Sequence, residues 1–331
     1  MQSAHVLETG IDTVRQGTVI RAQSGFYYIR TPEGEIVEAV ARGKLKLVRG
    51  DARVTSKTLV VVGDNVTFEM GADGRGVITE VDERHSKWAR RAVRGGRAQG
   101  TSPDKEHIII ANLDQLAVVL AAAQPPPRLR GLDRYLVLAE QNSVDALIIV
   151  NKVDLVEPYV PDEVFSIYRD IGYRVIYTSV KTGQGLDELR EALADKVTAF
   201  VGPSGVGKSS LLNRIHPGLG QVVSDISEAT GKGRHTTTAS QLFPIGDGGY
   251  VADTAGIREV GLWDMDEGEI AAGFREFHPY IPLCRFSGCT HTHEPGCAVR
   301  AAAERGDIAP QRYESYLRLL EEDAYRDPWE K

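Results

Sequence analysis

Asn151-Lys152-Val153-Asp154 and Gly202-Pro203-Ser204-Gly205-Val206-Gly207-Lys208-Ser209 are the stretches of this chain whose residue types and spacing could do chemistry on a nucleotide. A carboxylate such as Asp154 is an acceptor-only group. It can take both N–H donors on the Watson–Crick edge of guanine, whereas adenine presents an acceptor there and is repelled. A site built on buried hydrogen bonds can reject an analogue lacking them by roughly 10⁴ to 10⁵, so this one side chain can separate GTP from ATP. Asn151 and Lys152 would orient the loop and cover the base. The second stretch fits G-x-x-x-x-G-K-[ST], a phosphate loop whose N–H groups face the phosphates at a helix N-terminus. Lys208 would bridge the β- and γ-phosphates, and the Ser209 hydroxyl, followed by Ser210 at the helix start, would hold Mg²⁺.

Two further segments extend this constellation. Gly249-Tyr250-Val251-Ala252 runs as a strand into Asp253-Thr254-Ala255-Gly256, a D-x-x-G segment in which Asp253 would reach Mg²⁺ through water and the Gly256 N–H would sense the γ-phosphate. Gly231-Lys232-Gly233-Arg234-His235-Thr236-Thr237-Thr238 is Gly-rich, polar and basic, as expected of a loop ordered by γ-phosphate and Mg²⁺, with one threonine as a metal ligand. Singly, such motifs can be helix-start loops or Gly-rich turns; together, each after a strand-like run, they specify a site. Ser179-Val180-Lys181 resembles the GTPase segment whose backbone N–H and Lys stem close over guanine, with Val180 where Ala is commoner. Ordinary GTPases place the base-reading motif downstream of the phosphate loop, and here it lies upstream.

These loops need a scaffold. Val197–Val201 reads as a buried strand before the phosphate loop, and Ser209-Ser210-Leu211-Leu212-Asn213 opens a helix. From about Ile108 strands and helices alternate. Ala117–Leu120 and Ala146–Val150 are apolar runs of parallel-strand type, and Leu129–Asn142 has helical periodicity. The result is a doubly wound α/β sheet with ligands at the carboxyl ends of its strands. Upstream, strand-like runs at Gly17–Ala22, Gly25–Arg30, Ile36–Val40, Leu59–Phe68 and Gly76–Val81 suit an OB-type barrel, a fold that often binds oligonucleotides. Arg42, Lys44, Lys46 and Arg49 add positive charge around a loop between its strands. Arg84 to Arg97 is strongly basic and contains Trp88, so it reads as a solvated linker or as an RNA contact in which the indole stacks.

The chain of 331 residues, 42% hydrophobic, has material for two or three domains. Its apolar runs are too short to span a bilayer, and no basic-then-apolar secretion signal opens it, so a cytoplasmic protein without membrane contact is expected. A formal charge of −7 argues against general nucleic-acid binding and confines RNA contact to local basic surface. All three cysteines lie in Cys284-Arg285-Phe286-Ser287-Gly288-Cys289-Thr290-His291-Thr292-His293-Glu294-Pro295-Gly296-Cys297. An odd count in a cytosolic chain disfavours disulfides, whereas three thiolates and an imidazole form a closed tetrahedral shell for one structural Zn²⁺. His291 is taken as the fourth ligand, with His293 in reserve.

Barrel, permuted nucleotide motifs and C-x4-C-x-H-x5-C together resemble the circularly permuted GTPases of bacterial small-ribosomal-subunit assembly, over nearly the whole chain. The resemblance implies a multidomain fold: residues 1–85 as a leader and OB-type RNA-binding β-barrel, 86–102 as a basic linker, 103–262 as a central α/β circularly permuted P-loop GTPase domain, and 263–331 as a C-terminal helical zinc-binding domain. It implies a monomer that binds GTP and GDP, the immature small subunit and its rRNA, acts late in maturation, and leaves after subunit-stimulated hydrolysis. It also assigns Zn²⁺ to Cys284, Cys289, His291 and Cys297, and makes Thr237 the first-switch ligand of Mg²⁺. The leader to about Gln16 matches nothing of use.

Many GTPases follow the D-x-x-G glycine with a glutamine that orients the attacking water. This chain has Ile257, which can neither donate nor accept a hydrogen bond, and the family it resembles is likewise hydrophobic there. Slow hydrolysis by the free protein is therefore expected, with docking on the subunit ordering the first switch and bringing His235 to the water. The second switch, from Asp253 to about Leu262, runs straight into the metal-bearing segment, so a γ-phosphate-dependent shift could reorient that module. A switch-like RNA-binding module with incidental turnover, or a metabolic or tRNA-modifying GTPase, are the other classes considered. The latter needs a second-substrate pocket, yet Asp12, His107 and His278 are isolated. Asp154 opposes an ATPase reading.

Overall fold

The computed structural model describes residues 14–47, 60–91, 106–219, 241–246, 248–252 and 265–321. Strands β1 (Val14–Gln23), β2 (Phe26–Arg30), β3 (Ile36–Leu47), β4 (Asn65–Met70) and β5 (Gly76–Val81) close a barrel in the order β1-β2-β3-β5-β4. All its pairs are antiparallel except β3 with β5, which run parallel. Side chains alternate across each strand, so Val19, Ile29, Val37, Ala39, Val66, Phe68, Ile78 and Val81 fill the interior. A bulge between Val19 and Arg21 adds local twist to the curl. Arg42 to Lys46 lie within β3 itself, and not in a loop; Arg49 is outside the described residues.

Leu59–Phe68 reads as one strand, but pairing begins at Asn65. Val60 instead packs unpaired into the barrel interior, whereas Val61 and Val62 are buried by docking, Val61 against Ile108 and Ala111 and Val62 with Trp88 and Ile110, and form the joint to the next domain. The Gly63 N–H donates to Val19 O at 2.8 Å, and the Ala111 N–H donates to Val62 O at 2.9 Å. The Asn112 amide ties both sides together, its Nδ2 donating to Gly63 O at 2.9 Å and its Oδ1 accepting from the His85 N–H at 3.0 Å. Asp64 accepts from both Nε and Nη2 of Arg84, at 2.6 and 2.9 Å, in the bidentate geometry that suits a buried ion pair. Gly63 has φ +91°, and a Cβ there would sit 2.0 Å from Ala111 O. Gly63→Ala is therefore expected to cost about 2 kcal/mol or more, measurable as a lowered midpoint of chemical unfolding.

The basic stretch begins as a strand. β6 (Lys87–Arg91) pairs antiparallel with β7 (Glu106–Ala111). Trp88 is fully buried, 0% exposed, in the core with Ile110 and Val62. Burial of so large an apolar ring outweighs its exposure as a stacking platform, so Trp88 offers no face to a base.

The central sheet has the order β10-β9-β8-β11-β13-β12, from β8 (Gln115–Ala121), β9 (Asp145–Asn151), β10 (Arg174–Tyr177), β11 (Val197–Val201), β12 (Leu242–Pro244) and β13 (Tyr250–Ala252). Its pairs are parallel except at the β12 edge. Helices α1 (Leu129–Gln141), α2 (Val160–Asp170), α3 (Leu186–Leu193) and α4 (Lys208–Ile215) cover it. Central β8 is buried on both faces: Leu116, Val118 and Leu120 enter one core, and Ala117, Val119 and Ala121 the other. Since β11 and β9 flank β8, the loops after them share one rim.

The C-terminal part comprises α5 (Glu267–Ala272), α6 (Ala298–Arg305) and α7 (Pro310–Glu321), with 3₁₀ turns at Arg275–Phe277 and Ile281–Leu283. Asp266 and Glu269 form a capping box that starts α5. Phe274, Phe277 and Tyr316 pack ring against ring, with centroids 5.0 to 5.4 Å apart, and join the core under α1. Among the described residues, no helix is long and apolar enough to cross a membrane.

Candidate functional site

Asn151 ends β9 and is buried, and Lys152 turns the chain with a left-handed φ of 61° into a 3₁₀ turn carrying Asp154. The Asn151 Nδ2 donates to Val206 O at 2.8 Å, while its Oδ1 accepts from Thr178 Oγ1 at 3.2 Å. One amide therefore fixes the base-side loop to the phosphate loop and to the end of β10. The Lys152 ammonium spans Gly205 O, at 2.6 Å, and Gln124 O. Ser179 Oγ donates to Asp154 Oδ1 at 2.6 Å, and Lys181 Nζ lies 3.9 Å from Asp154 Oδ2. Ser179 thus aims the carboxylate, leaving lone pairs for a ligand's N–H donors. Val180 sits between them in the same turn.

The phosphate loop follows β11 and leads into α4, which begins at Lys208. Its glycines are there for close approach: at Gly202 (φ +144°) a Cβ would lie 2.2 Å from Val119 O, and at Gly207 (φ +97°) 2.5 Å from Asn151 Nδ2. Pro203 and Ser204 enter the loop and Gly205 (φ +80°) turns it. Val206 is buried as its hydrophobic anchor. Lys208 Nζ donates to Gly202 O at 2.8 Å and to Pro203 O at 2.7 Å, so its charge sits within the loop. Ser209 and Ser210 are exposed in the first turn of α4. His235, Thr237, Asp253, Gly256 and Ile257 lie outside the described residues.

Thr178 and the Gln124–Pro125 stretch were missed by sequence reasoning. Thr178 carries no motif signature, although its place just before Ser179 was a clue. Gln124 and Pro125 reach the phosphate loop because β8 neighbours β11, which spacing alone does not reveal.

The second site is a cluster of donors that could hold a metal ion. Cys284, Cys289, His291 and Cys297 bring their ligand atoms within 4.8 Å of one another. His291 Nδ1 is 3.5 Å from Cys284 Sγ and 3.6 Å from Cys297 Sγ. A tetrahedral zinc with Zn–S near 2.3 Å and Zn–N near 2.05 Å requires an S···N edge of about 3.6 Å, so the donor set fits that ion. His293 is turned away and bonds Thr292 Oγ1 at 2.8 Å. Burial lowers the His291 pKa, favouring the neutral imidazole that a metal needs. Burial, together with the neighbouring Cys297 and Cys284 thiols, pushes the Cys289 thiol up to about 12.

The loop is held from within and from behind. Glu294 Oε1 accepts from the Thr290 N–H and hydroxyl, both at 2.6 Å, and its Oε2 accepts from the Thr292 N–H at 3.2 Å. Burial works to raise the Glu294 pKa, but these bonds outweigh it and hold the carboxyl well below the usual range. The Arg300 N–H donates to Cys297 Sγ at 3.3 Å at the start of α6. Tyr313 and Tyr316 donate to His291 O and Thr290 O at 2.7 and 2.5 Å.

On the barrel, the Arg21 guanidinium stacks 3.7 Å from the Tyr28 ring centroid, and Arg75 lies 5.7 Å from that of Phe26. Such pairs present positive charge and an aromatic face on one surface.

The RsgA GTPase family model matches residues 84–263, and the RsgA N-terminal domain model matches residues 16–78. The chain is similar to a small ribosomal subunit biogenesis GTPase, RsgA, of Gemmatimonas aurantiaca, with 46% identity covering 94% of this chain and 98% of that one. A protein of the same name from Chlorobaculum tepidum is 42% identical, covering 92% and 97%. Among solved structures, YjeQ from Thermotoga maritima superposes with a TM-score of 0.73 at 32% identity, over 95% of this chain and 99% of that one. YloQ, described as a circularly permuted GTPase, gives 0.70 at 30% identity, over 96% and 97%.

Proposed function

The chain belongs to the RsgA GTPase family, and from that membership we propose that this GTPase acts in biogenesis of the small ribosomal subunit, binding it late in maturation and leaving on subunit-stimulated hydrolysis. The observation that supports the reading is the convergence of Asn151 and Lys152 on Val206 and Gly205, which brings the base-side loop against the phosphate loop despite the permuted order. In this reading Asp154, set by Ser179, accepts the guanine N–H donors while Val180 and Lys181 close over the base. The loop from Gly202 to Ser210 wraps the phosphates, with Lys208 exchanging its backbone acceptors for phosphate oxygens. Mg²⁺ would supply charge neutralisation between the β- and γ-phosphates, held by Ser209 and Thr237. Asp253 would reach Mg²⁺ through water, and the Gly256 N–H would sense the γ-phosphate. Zn²⁺ would sit in the Cys284, Cys289, His291 and Cys297 shell as a structural ion. The barrel within residues 1–85 and the strand-forming basic stretch that follows it face rRNA.

His235 is proposed to orient the attacking water once docking orders its loop, replacing the hydrogen-bonding residue that Ile257 cannot be. His235→Ala is expected to lower single-turnover hydrolysis on purified small subunits by about 10² or more while leaving hydrolysis by the free protein unchanged. Equal stimulation of variant and wild type would remove His235 from the mechanism. Release is checked separately: co-sedimentation with small subunits should hold with a non-hydrolysable GTP analogue and fall with GDP.

A further inference from the structure

Building on the nucleotide site and zinc shell proposed above, we propose that helix α7 is a strut joining the two, with Arg312 as a positioning residue for the nucleotide site, so that zinc and guanine nucleotide bind cooperatively. The nucleotide end starts at the phosphate loop. Lys152 ties Gln124 O to Gly205 O, and Pro125 Cδ lies 3.8 Å from where a Gly205 Cβ would be. The stretch from Gln124 therefore leans on the phosphate loop before entering α1, whose residues from Gly131 to Ala139 are all buried and closely packed.

α1 is gripped from the other side by the zinc module. Asp133 accepts from Arg312 Nη1 and from the Tyr168 hydroxyl at 2.8 Å. The same guanidinium donates through Nε to Glu276 Oε1 at 2.6 Å and through Nη2 to Oε2 at 3.3 Å. It is 0% exposed and stacked against Phe274, 4.5 Å from the ring centroid. Farther along α1, Glu140 accepts from Arg275 Nε at 2.5 Å, and Gln141 Nε2 donates to Glu269 O at 2.6 Å. At Gly273 a Cβ would meet Val137 Cγ1 at 2.6 Å, so the surfaces are in contact without a gap. A planar fork shared between the buried Asp133 and the partly buried Glu276 has one low-energy arrangement, and displacement of either helix breaks it.

The residue after Arg312 reaches the metal loop. Tyr313 OH donates to His291 O and Tyr316 OH to Thr290 O. One helix thus fixes α1 with one side chain and the backbone of a metal ligand with the next. An ordered zinc shell holds α7, α7 holds α1, and α1 holds the wall of the phosphate loop. By linkage the effect runs equally in the other direction.

The test measures both affinities on the full chain: zinc by equilibrium competition with a chelating indicator, and a fluorescent GDP analogue by titration. Saturating nucleotide is expected to tighten zinc by about fivefold or more, and zinc to tighten nucleotide by the same factor. Arg312→Lys keeps the charge and loses the fork, and should bring the factor towards one with both ligands still bound. Tyr313→Phe, which removes one hydroxyl, should lower it independently. A wild-type factor of one overturns the proposal, as does an unchanged factor in both variants; if Arg312→Lys does not fold, an unchanged factor in Tyr313→Phe is decisive. A wild-type chain that binds no guanine nucleotide, or no zinc, overturns the functional reading as well and is distinguishable from two sites that bind independently.

Discussion

Asp154→Asn is expected to weaken GTP binding by roughly 10² to 10⁴, because two charge-assisted hydrogen bonds of about 1.5–3 kcal/mol each depend on the carboxylate. The structure supports a clean substitution. Asp154 is held by Ser179 Oγ, which can donate equally to an amide oxygen, so the loop keeps its shape. The amide changes what the position reads: its Nδ2 is a donor and opposes the guanine 2-amino group, but it matches the 2-oxo group of xanthine. A gain in affinity for xanthosine triphosphate accompanying the loss for GTP, measured by titration calorimetry with Mg²⁺, is the expected outcome. Parallel losses for both nucleotides would show that the substitution had only disordered the loop.

Cys289→Ser is expected to reduce zinc affinity by about 10³ or more and to unravel the loop from Cys284 to Cys297, since metal binding and folding are one equilibrium in a structural site. Cys289 is buried and is one of the four donors that cluster within 4.8 Å of one another. Loss of helicity at α6 and of bound zinc should occur together. The pH dependence follows from the same thiol. Burial and the adjacent thiols push the folded Cys289 thiol up to about 12, and even an ordinary thiol is mostly protonated at neutral pH, so Cys289 must lose a proton to ligate. Raising the pH lowers that cost, so zinc affinity should climb with pH. Between about pH 6 and pH 8 the gain is roughly a hundredfold from Cys289 alone.

Sequence reasoning reached furthest where chemistry is written in short contiguous stretches. The loops after β9 and β11 and the C-x4-C-x-H-x5-C spacing are local, and the strands under them are uninterrupted apolar runs. What escaped was set by distant partners. Asp133 and Arg312 are 179 positions apart and look like ordinary surface charges on two helices. Asn112 bridges barrel and sheet through Gly63 and His85, a role visible only once β7 lies against the loop before β4. Val61 and Val62 look like part of a strand because burial by docking and burial by pairing select the same residues. The charges around Trp88 suggest solvent, whereas β6 alternates and turns the indole inward.

The central claim is that a permuted chain assembles one guanine-selective site whose turnover is completed by a ribosomal partner. Its most direct test is the rate of GTP and of ATP hydrolysis by the full-length protein, alone and with purified small or large subunits. Slow GTP hydrolysis alone is expected, with a rise of roughly 10² or more with small subunits, none comparable with large subunits, and ATP at background throughout. Hydrolysis of ATP at a rate similar to GTP, or stimulation that does not distinguish the two subunits, would contradict it.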